Sequence, residues 1–208
     1  MSNSTVSQKD IFPLFSVPIY KKKLDINLSE HELKIIQNSE FYHQALGSKL
    51  SKNKFVLEDP NLVRIKNILL SEVKEYFNNF LHYEFEIYFT NSWVNTMNFN
   101  EQQTLHNHAN SIISGIFYVR VDDSCPLITF VNRDPHLLLN MRAQQYNIFN
   151  SVEYDIPVEN NSVVLFPSTC FHYVKKNLTR NDRISIAFNT FVKGQIGVEE
   201  SGGDLNLN

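Results

Sequence analysis

The sequence predicts a mainly β protein, a double-sheet barrel or jelly roll preceded by two helices, and three observations carry that prediction. Short runs rich in β-branched and aromatic residues recur between Phe85 and Val192, with polar turns between them. Upstream of them, two segments carry apolar residues at three- and four-residue steps, the period of a helix buried along one face. The composition leans the same way: sixteen Phe and nine Tyr among 208 residues favour a pleated surface across which aromatic rings pack.

Residues 1–10 are polar and are expected to be disordered. From Ile11 to Tyr20 the chain is extended, because Pro13 and Pro18 exclude a helix and confine the segment to the rim or edge of a sheet. Lys21-Lys22-Lys23 then reads as a solvated strand edge. A first helix is expected over about 29–46. Ser29 and Glu32 stand at the capping-box spacing, Leu33, Ile36, Phe41 and Ala45 share a face, and Gly47 stops it. A second helix is expected over about 60–81, capped by Asp59 with Pro60 in its first turn, and with Leu62, Ile65, Leu69, Val73, Phe77 and Phe80 as its apolar stripe. This stripe is suited to packing across the outside of a sheet.

The barrel is expected over about 85–192. Its strands are Ile87–Phe89 and Trp93–Met97 (one strand or two), Ile112–Val121, Leu127–Val131, Gln145–Phe149, Ser162–Phe166, Phe171–Lys175 and Ile184–Val192. The segment 194–208 lacks apolar periodicity and is expected to be a flexible tail, which leaves a single domain over 11–193.

Charge and cysteine usage exclude several function classes. A net charge of -3 with no Lys/Arg stripe offers no general attraction to nucleic acid or to an anionic membrane. The two cysteines, Cys125 and Cys170, stand in neither metal nor redox spacing and suggest no disulfide framework. The first residues lack the apolar core of a signal peptide, and no apolar run approaches the ~20 residues that span a bilayer. A soluble cytoplasmic protein is the expectation.

The chemistry concentrates on His106-Asn107-His108. On an extended segment, side chains at i and i+2 face the same way, so two imidazoles there make half of a metal site. His31, His43 and His82 fall in or beside the helices and read as surface or boundary residues, and His136 follows Asp134-Pro135 in a turn. His172 is the third candidate. It sits on a late strand after Pro167, and in an antiparallel barrel that strand can lie beside the one bearing His106. Three neutral imidazoles suit Fe, Zn, Ni or Cu. Alternation along the last strand puts Arg183, Ser185, Ala187 and Asn189 on one face and Ile184, Ile186 and Phe188 on the other. That is the pattern either of a strand lining a polar pocket, with Arg183 offering a fork of donors to a carboxylate, or of a surface strand with an ordinary arginine.

In this order, His106-x-His108, Ser114-Gly115-Ile116-Phe117-Tyr118-Val119, Val164-Leu165-Phe166-Pro167-Ser168 leading to His172, and Arg183-x-Ser185 with Asn189 resemble the 2-oxoglutarate- and Fe(II)-dependent oxygenase superfamily. The resemblance is narrower to a bacterial and phage family of oxygenases in which Trp-x-Asn precedes the metal segment, as Trp93-Val94-Asn95 does here. It covers roughly residues 85–192, with a looser echo from Phe12 to Tyr20. It implies a double-stranded β-helix of jelly-roll, cupin-like type with the two helices outside one sheet. It implies Fe(II), 2-oxoglutarate and O2 as the reaction's cofactor and cosubstrates, with succinate and CO2 as products beside an oxidised substrate. His106 and His172 take the places of the triad's two histidines. Arg183, with Ser185 and Tyr118, takes the place of the groups that hold the distal carboxylate of 2-oxoglutarate.

The common triad has Asp or Glu two residues after its first histidine, where this chain has His108, as is also found in the narrower family. His108 is then either a third metal ligand or a non-ligand that leaves two histidines and an open position. A cupin-type metalloprotein and an inactive jelly-roll binding module are the competing readings. The first lacks a glutamate soon after His108 and leaves Arg183-x-Ser185 without a role. A small molecule or a protein side chain is the expected substrate, with no nucleic acid, no membrane and a homodimer as an option. Asn98–Thr104 and Asp134–Tyr146 are the expected walls of the substrate opening.

Overall fold

A computed structural model describes residues 13–44, 47–122, 124–133, 143–197 and 202–207. Residues 1–10, Ala45, His136 and most of the expected wall Asp134–Tyr146 lie outside the described residues.

Tyr20–Lys23 forms β1, an edge strand whose three lysines are exposed, as the basic run suggested. α1 follows at Glu30–Gln37. Its capping box is formed, with Ser29 Oγ accepting from the Glu32 amide at 3.2 Å and Glu32 accepting from the Ser29 amide at 2.8 Å. The helix does not run on to residue 46. Ile36 is its last buried anchor, and after the helix-weak Asn38-Ser39 pair the chain turns into a hairpin, β2 (Phe41–His43) and β3 (Lys49–Ser51). β3 pairs with β4 (Glu86–Met97), so Phe41 is committed to a sheet and not to a helix face.

α2 spans Val63–Lys74. It is entered by a 3₁₀ turn at Pro60–Leu62 that Asp59 caps through the Asn61 amide, and it is extended by a π-helical turn at Glu75–Phe80. Leu62, Ile65, Leu69, Val73 and Phe77 are buried as the stripe predicts, but Phe80 is 60% exposed. The Leu81 amide closes on the Tyr76 carbonyl, an i→i+5 bond, and this wider turn shifts the phase so that Tyr76 takes the buried place.

The remaining strands are β5 (Gln103–His106), β6 (Ile113–Arg120), β7 (Ile128–Val131), β8 (Glu153–Ile156), β9 (Ser162–Pro167), β10 (Phe171–Val174), β11 (Arg183–Ile196) and β12 (Leu205–Leu207). Two expectations are corrected here. Gln145–Phe149 is not a strand: Asn147 and Asn150 bond to nearby backbone and shape a turn, and β8 begins only at Glu153. The tail is not structureless either, since β11 continues to Ile196 and β12 pairs with it through Gly194–Ile196.

The strands form two sheets, the larger ordered β1-β9-β6-β11-β4-β3-β2 with β12 beside β11, the smaller ordered β5-β10-β7-β8. This is a jelly roll. β6, β9 and the first half of β11 are buried on both faces. Phe117, Val163, Leu165, Ile184, Ile186 and Phe188 pack outward against α2, while Ile116, Tyr118, Val164 and Phe166 face the smaller sheet. The second set leaves polar residues of β11 pointing between the sheets, where the site lies.

Candidate metal and cosubstrate site

β5 and β10 are antiparallel neighbours, and their register sets His106 opposite His172. His108 lies just beyond β5, its backbone amide donating to the Ser168 carbonyl at 3.0 Å. The potential ligand nitrogens of the three histidines all fall within 4.8 Å of one another. The His106 ring centroid is 4.4 Å from that of His172 and 5.3 Å from that of His108.

Each imidazole is oriented by an oxygen at Nδ1: the Thr104 carbonyl for His106 at 2.7 Å, Asn189 Oδ1 for His108 at 2.6 Å, and the Cys170 carbonyl for His172 at 3.0 Å. These acceptors hold the proton on Nδ1 and leave the Nε2 lone pairs for a metal. His108 Nε2 is buried without a hydrogen-bond partner, as a ligand nitrogen awaiting its ion would be. Burial, aided by the charge of His106, lowers His172 to about 3, and burial lowers His108 to about 4. Both rings are therefore neutral, ligand-ready bases at pH 7. Phe166 and Phe130 stand 4.7 and 5.8 Å from the His172 ring and keep that side apolar.

The second group lies farther along the same interior face. Ser185 pairs in register with Tyr118 of β6, and the Arg183 guanidinium carbon sits 4.9 Å from the Tyr118 ring centre. All three are buried to within 1% of full burial. Burial raises the Tyr118 phenol well above its usual range, with Arg183 opposing the shift. Arg183 Nε and Nη2, Tyr118 Oη and Ser185 Oγ are buried with no hydrogen-bond partner. Leaving a guanidinium and two hydroxyls buried and unsatisfied costs several kcal/mol, about 1–3 for each group and more for the charged one, unless a ligand supplies acceptors. A carboxylate matches that set of donors. Between the two groups β11 carries only the small Ala187, next to Ile116, so no bulky side chain of that strand separates them.

The structure thus brings together His106, His108 and His172 at one point, and Arg183, Ser185 and Tyr118 at another. A cavity of about 520 Å³ opens over the histidines. Of the expected walls, Gln103 and Thr104 line it, but the opposite wall is the β2–β3 hairpin with Tyr42, Gln44 and Leu50. That wall was hidden because the first strand of the hairpin lay within the expected first helix. Also unforeseen was the buried array that steadies Asn189, whose Oδ1 accepts from Ser114 as well as from His108. The polar parity of Asn189 with Arg183 was the available signal.

Three imidazoles thus converge inside a jelly roll, on the same interior face as a buried arginine whose Nε and Nη2 have no hydrogen-bond partner. The family described as "Putative 2OG-Fe(II) oxygenase" matches residues 91–189, a span that encloses all six residues. Solved structures with the same fold include a 2OG-Fe(II) oxygenase-family oxidoreductase from Burkholderia pseudomallei, 12% identical over 83% of each chain with a TM-score of 0.58. HygX from Streptomyces hygroscopicus, with nickel, 2-oxoglutarate and hygromycin B bound, is 12% identical over 84% of this chain and 82% of its own, with a TM-score of 0.61. A Pseudomonas putida prolyl-4-hydroxylase is 10% identical over 84% of this chain and 93% of its own, at 0.55. No curated protein matches by sequence. The match to that family spans just under half of the chain, and the solved oxygenases share its fold. Among the described residues, no helix is long and apolar enough to cross a membrane.

Proposed function

We propose that the protein is a dioxygenase of the hydroxylase type, in which His106, His108 and His172 hold Fe(II) while Arg183, Ser185 and Tyr118 hold the distal carboxylate of 2-oxoglutarate. The observation that carries this reading is the buried, unpartnered donor set of Arg183, Tyr118 and Ser185. A cupin-type metal site would leave that set without a purpose. Bound Fe(II) with 2-oxoglutarate and O2 supplies the oxidising chemistry, coupling decarboxylation to succinate and CO2 with oxidation of a substrate C–H bond.

The chain's own residues bind, orient and exclude water. Arg183 neutralises the distal carboxylate in a dry setting where a charge-assisted pair is strong. Asn189, Thr104 and Cys170 fix the imidazoles, and Phe130 and Phe166 shield His172. With His108 in the place of a carboxylate, the three ligands contribute no negative charge, so the dianionic cosubstrate alone balances the metal. The substrate is a small molecule or a protein side chain that reaches the cavity.

Anaerobic titration of the apo-protein with Fe(II) and 2-oxoglutarate tests the reading through the visible charge-transfer band of the chelate. The band is expected, followed by succinate on admission of O2. Arg183→Ala is expected to weaken 2-oxoglutarate by a few kcal/mol, roughly a hundredfold, while metal still binds. Metal binding with no band at any 2-oxoglutarate concentration would sink the proposal in favour of a non-catalytic metal site.

A further inference from the structure

The mouth of the cavity has an unusual balance of charge. Among its described lining residues Lys54 is the only charged side chain, and there is no Asp or Glu. Seven other lysines, Lys21, Lys22, Lys23, Lys52, Lys66, Lys175 and Lys193, lie within 4 Å of a carboxylate. Lys54 is half-buried and its ammonium is held instead by neutral groups. It donates to Tyr42 Oη at 3.0 Å and to the Ser51 carbonyl at 2.9 Å, which leaves its third N–H. It also lies 4.6 Å from the centre of the Tyr42 ring and 6.0 Å from that of Trp93. Trp93 in turn stacks on His108 with ring centres 5.8 Å apart. Laid end to end, the last two distances put the ammonium no more than about 12 Å from the His108 ring. One small molecule spans that gap.

We propose that the substrate is a small anion, carrying a carboxylate or phosphate that pairs with Lys54 and an unsaturated or apolar body that lies along Trp93 and Tyr42 toward His108. This rests on the oxygenase reading for what happens at the metal, but the recognition argument stands on the chain alone. A positioned ammonium, two aromatic faces and the absence of any carboxylate among the described lining residues favour an anion over a neutral or cationic molecule. With three neutral imidazoles around a divalent ion, the site's own field has the same sign as Lys54.

The single tryptophan of the chain is Trp93, so its fluorescence reports binding at this place. The anaerobic Fe(II) and 2-oxoglutarate complex would be titrated with phenyl phosphate, benzoate and neutral benzamide. The two anions are expected to change the emission saturably and benzamide to bind at least tenfold more weakly. A tenfold preference between the two anions assigns the charged group as phosphate or carboxylate. Lys54→Met is expected to weaken the anions about tenfold and erase their advantage over benzamide, while Lys54→Arg keeps it. Equal binding of all three probes to the wild type, which needs no variant, overturns the proposal. So does a Lys54→Met protein that folds and binds the anions unchanged, or one in which only 2-oxoglutarate is weakened. Failure of the oxygenase reading is a separate result, an absent chelate band in wild type, and the anion titration of the zinc-loaded protein is unaffected by it.

Discussion

Asn189 decides which nitrogen of His108 faces the cavity as a free lone pair, because its side-chain oxygen accepts from Nδ1 and is itself steadied by Ser114. Asn189→Ala should weaken Fe(II) about 10–100-fold, measured by anaerobic competition with a chromophoric chelator, and Asn189→Asp should restore most of it by accepting the same proton. Unchanged affinity in the alanine variant would mean that His108 orients itself. Alternation along β11 made the side of Asn189 legible in the sequence. Its partner was not, because the two residues are 81 positions apart and meet only through the register of a loop against a strand. The three histidines, Arg183 and Ser185 stood out by type and position on their strands, and Tyr118 only through the family resemblance. What the sequence could not convey is that Arg183 Nε and Nη2, Tyr118 Oη and Ser185 Oγ are buried with no hydrogen-bond partner.

Elements with one dominant periodicity were readable, and those decided by tertiary pairing were not. The stripe of α2 and the alternation of β11 have enough residues to declare a period. The hairpin of β2 and β3 has three residues a strand and a helix-compatible pattern, so its docking on β4 overrides local preference. β12 is equally short and is defined by the strand it joins. β6 carries a stricter demand. A Cβ on Gly115 would sit 2.2 Å from two ring atoms of Phe188 and 2.7 Å from Leu165, the residues opposite it on the neighbouring strands β11 and β9. Gly115→Ala should cost about 1–3 kcal/mol by overpacking. Thermal unfolding should then begin several degrees lower, with part of the loss recovered in Gly115→Ala with Phe188→Leu. An unshifted melting temperature would mean that Phe188 has room to move.

For the molecule as a whole, the two depressed histidines tie stability to pH. Above about 6.5, the ordinary imidazole value, His108 and His172 are neutral whether the chain is folded or not, and they add no pH dependence. Below it the unfolded chain binds protons that the folded one refuses until pH falls to about 4 for His108 and about 3 for His172. Stability of the apo-protein should therefore decline as pH drops from 6.5, by up to about 1.4 kcal/mol per pH unit for each group. A melting series from pH 7.5 to 4.5 should show the slope, and His108→Gln with His172→Gln should flatten it. An equal slope in the double variant would place the acid sensitivity in other groups. The jelly roll itself was legible because its strands are numerous and evenly spaced. The division into a helix-backed sheet and a smaller sheet was not, since long strands buried on both faces lose the alternation that tells inside from outside.

β11 lies at the centre of the larger sheet, yet it is synthesised after both strands it joins there, β4 and β6. On a ribosome, the partners of Arg183–Lys193 have been outside the exit tunnel for some ninety residues on the β4 side, waiting with an open seam. All three histidines are translated before Arg183, so a chain paused at that point holds the proposed ligands without the proposed carboxylate partner and without Asn189 to fix the His108 tautomer. Completion of one strand closes the sheet and finishes the site in the same event, which makes assembly of the fold and onset of competence a single late step.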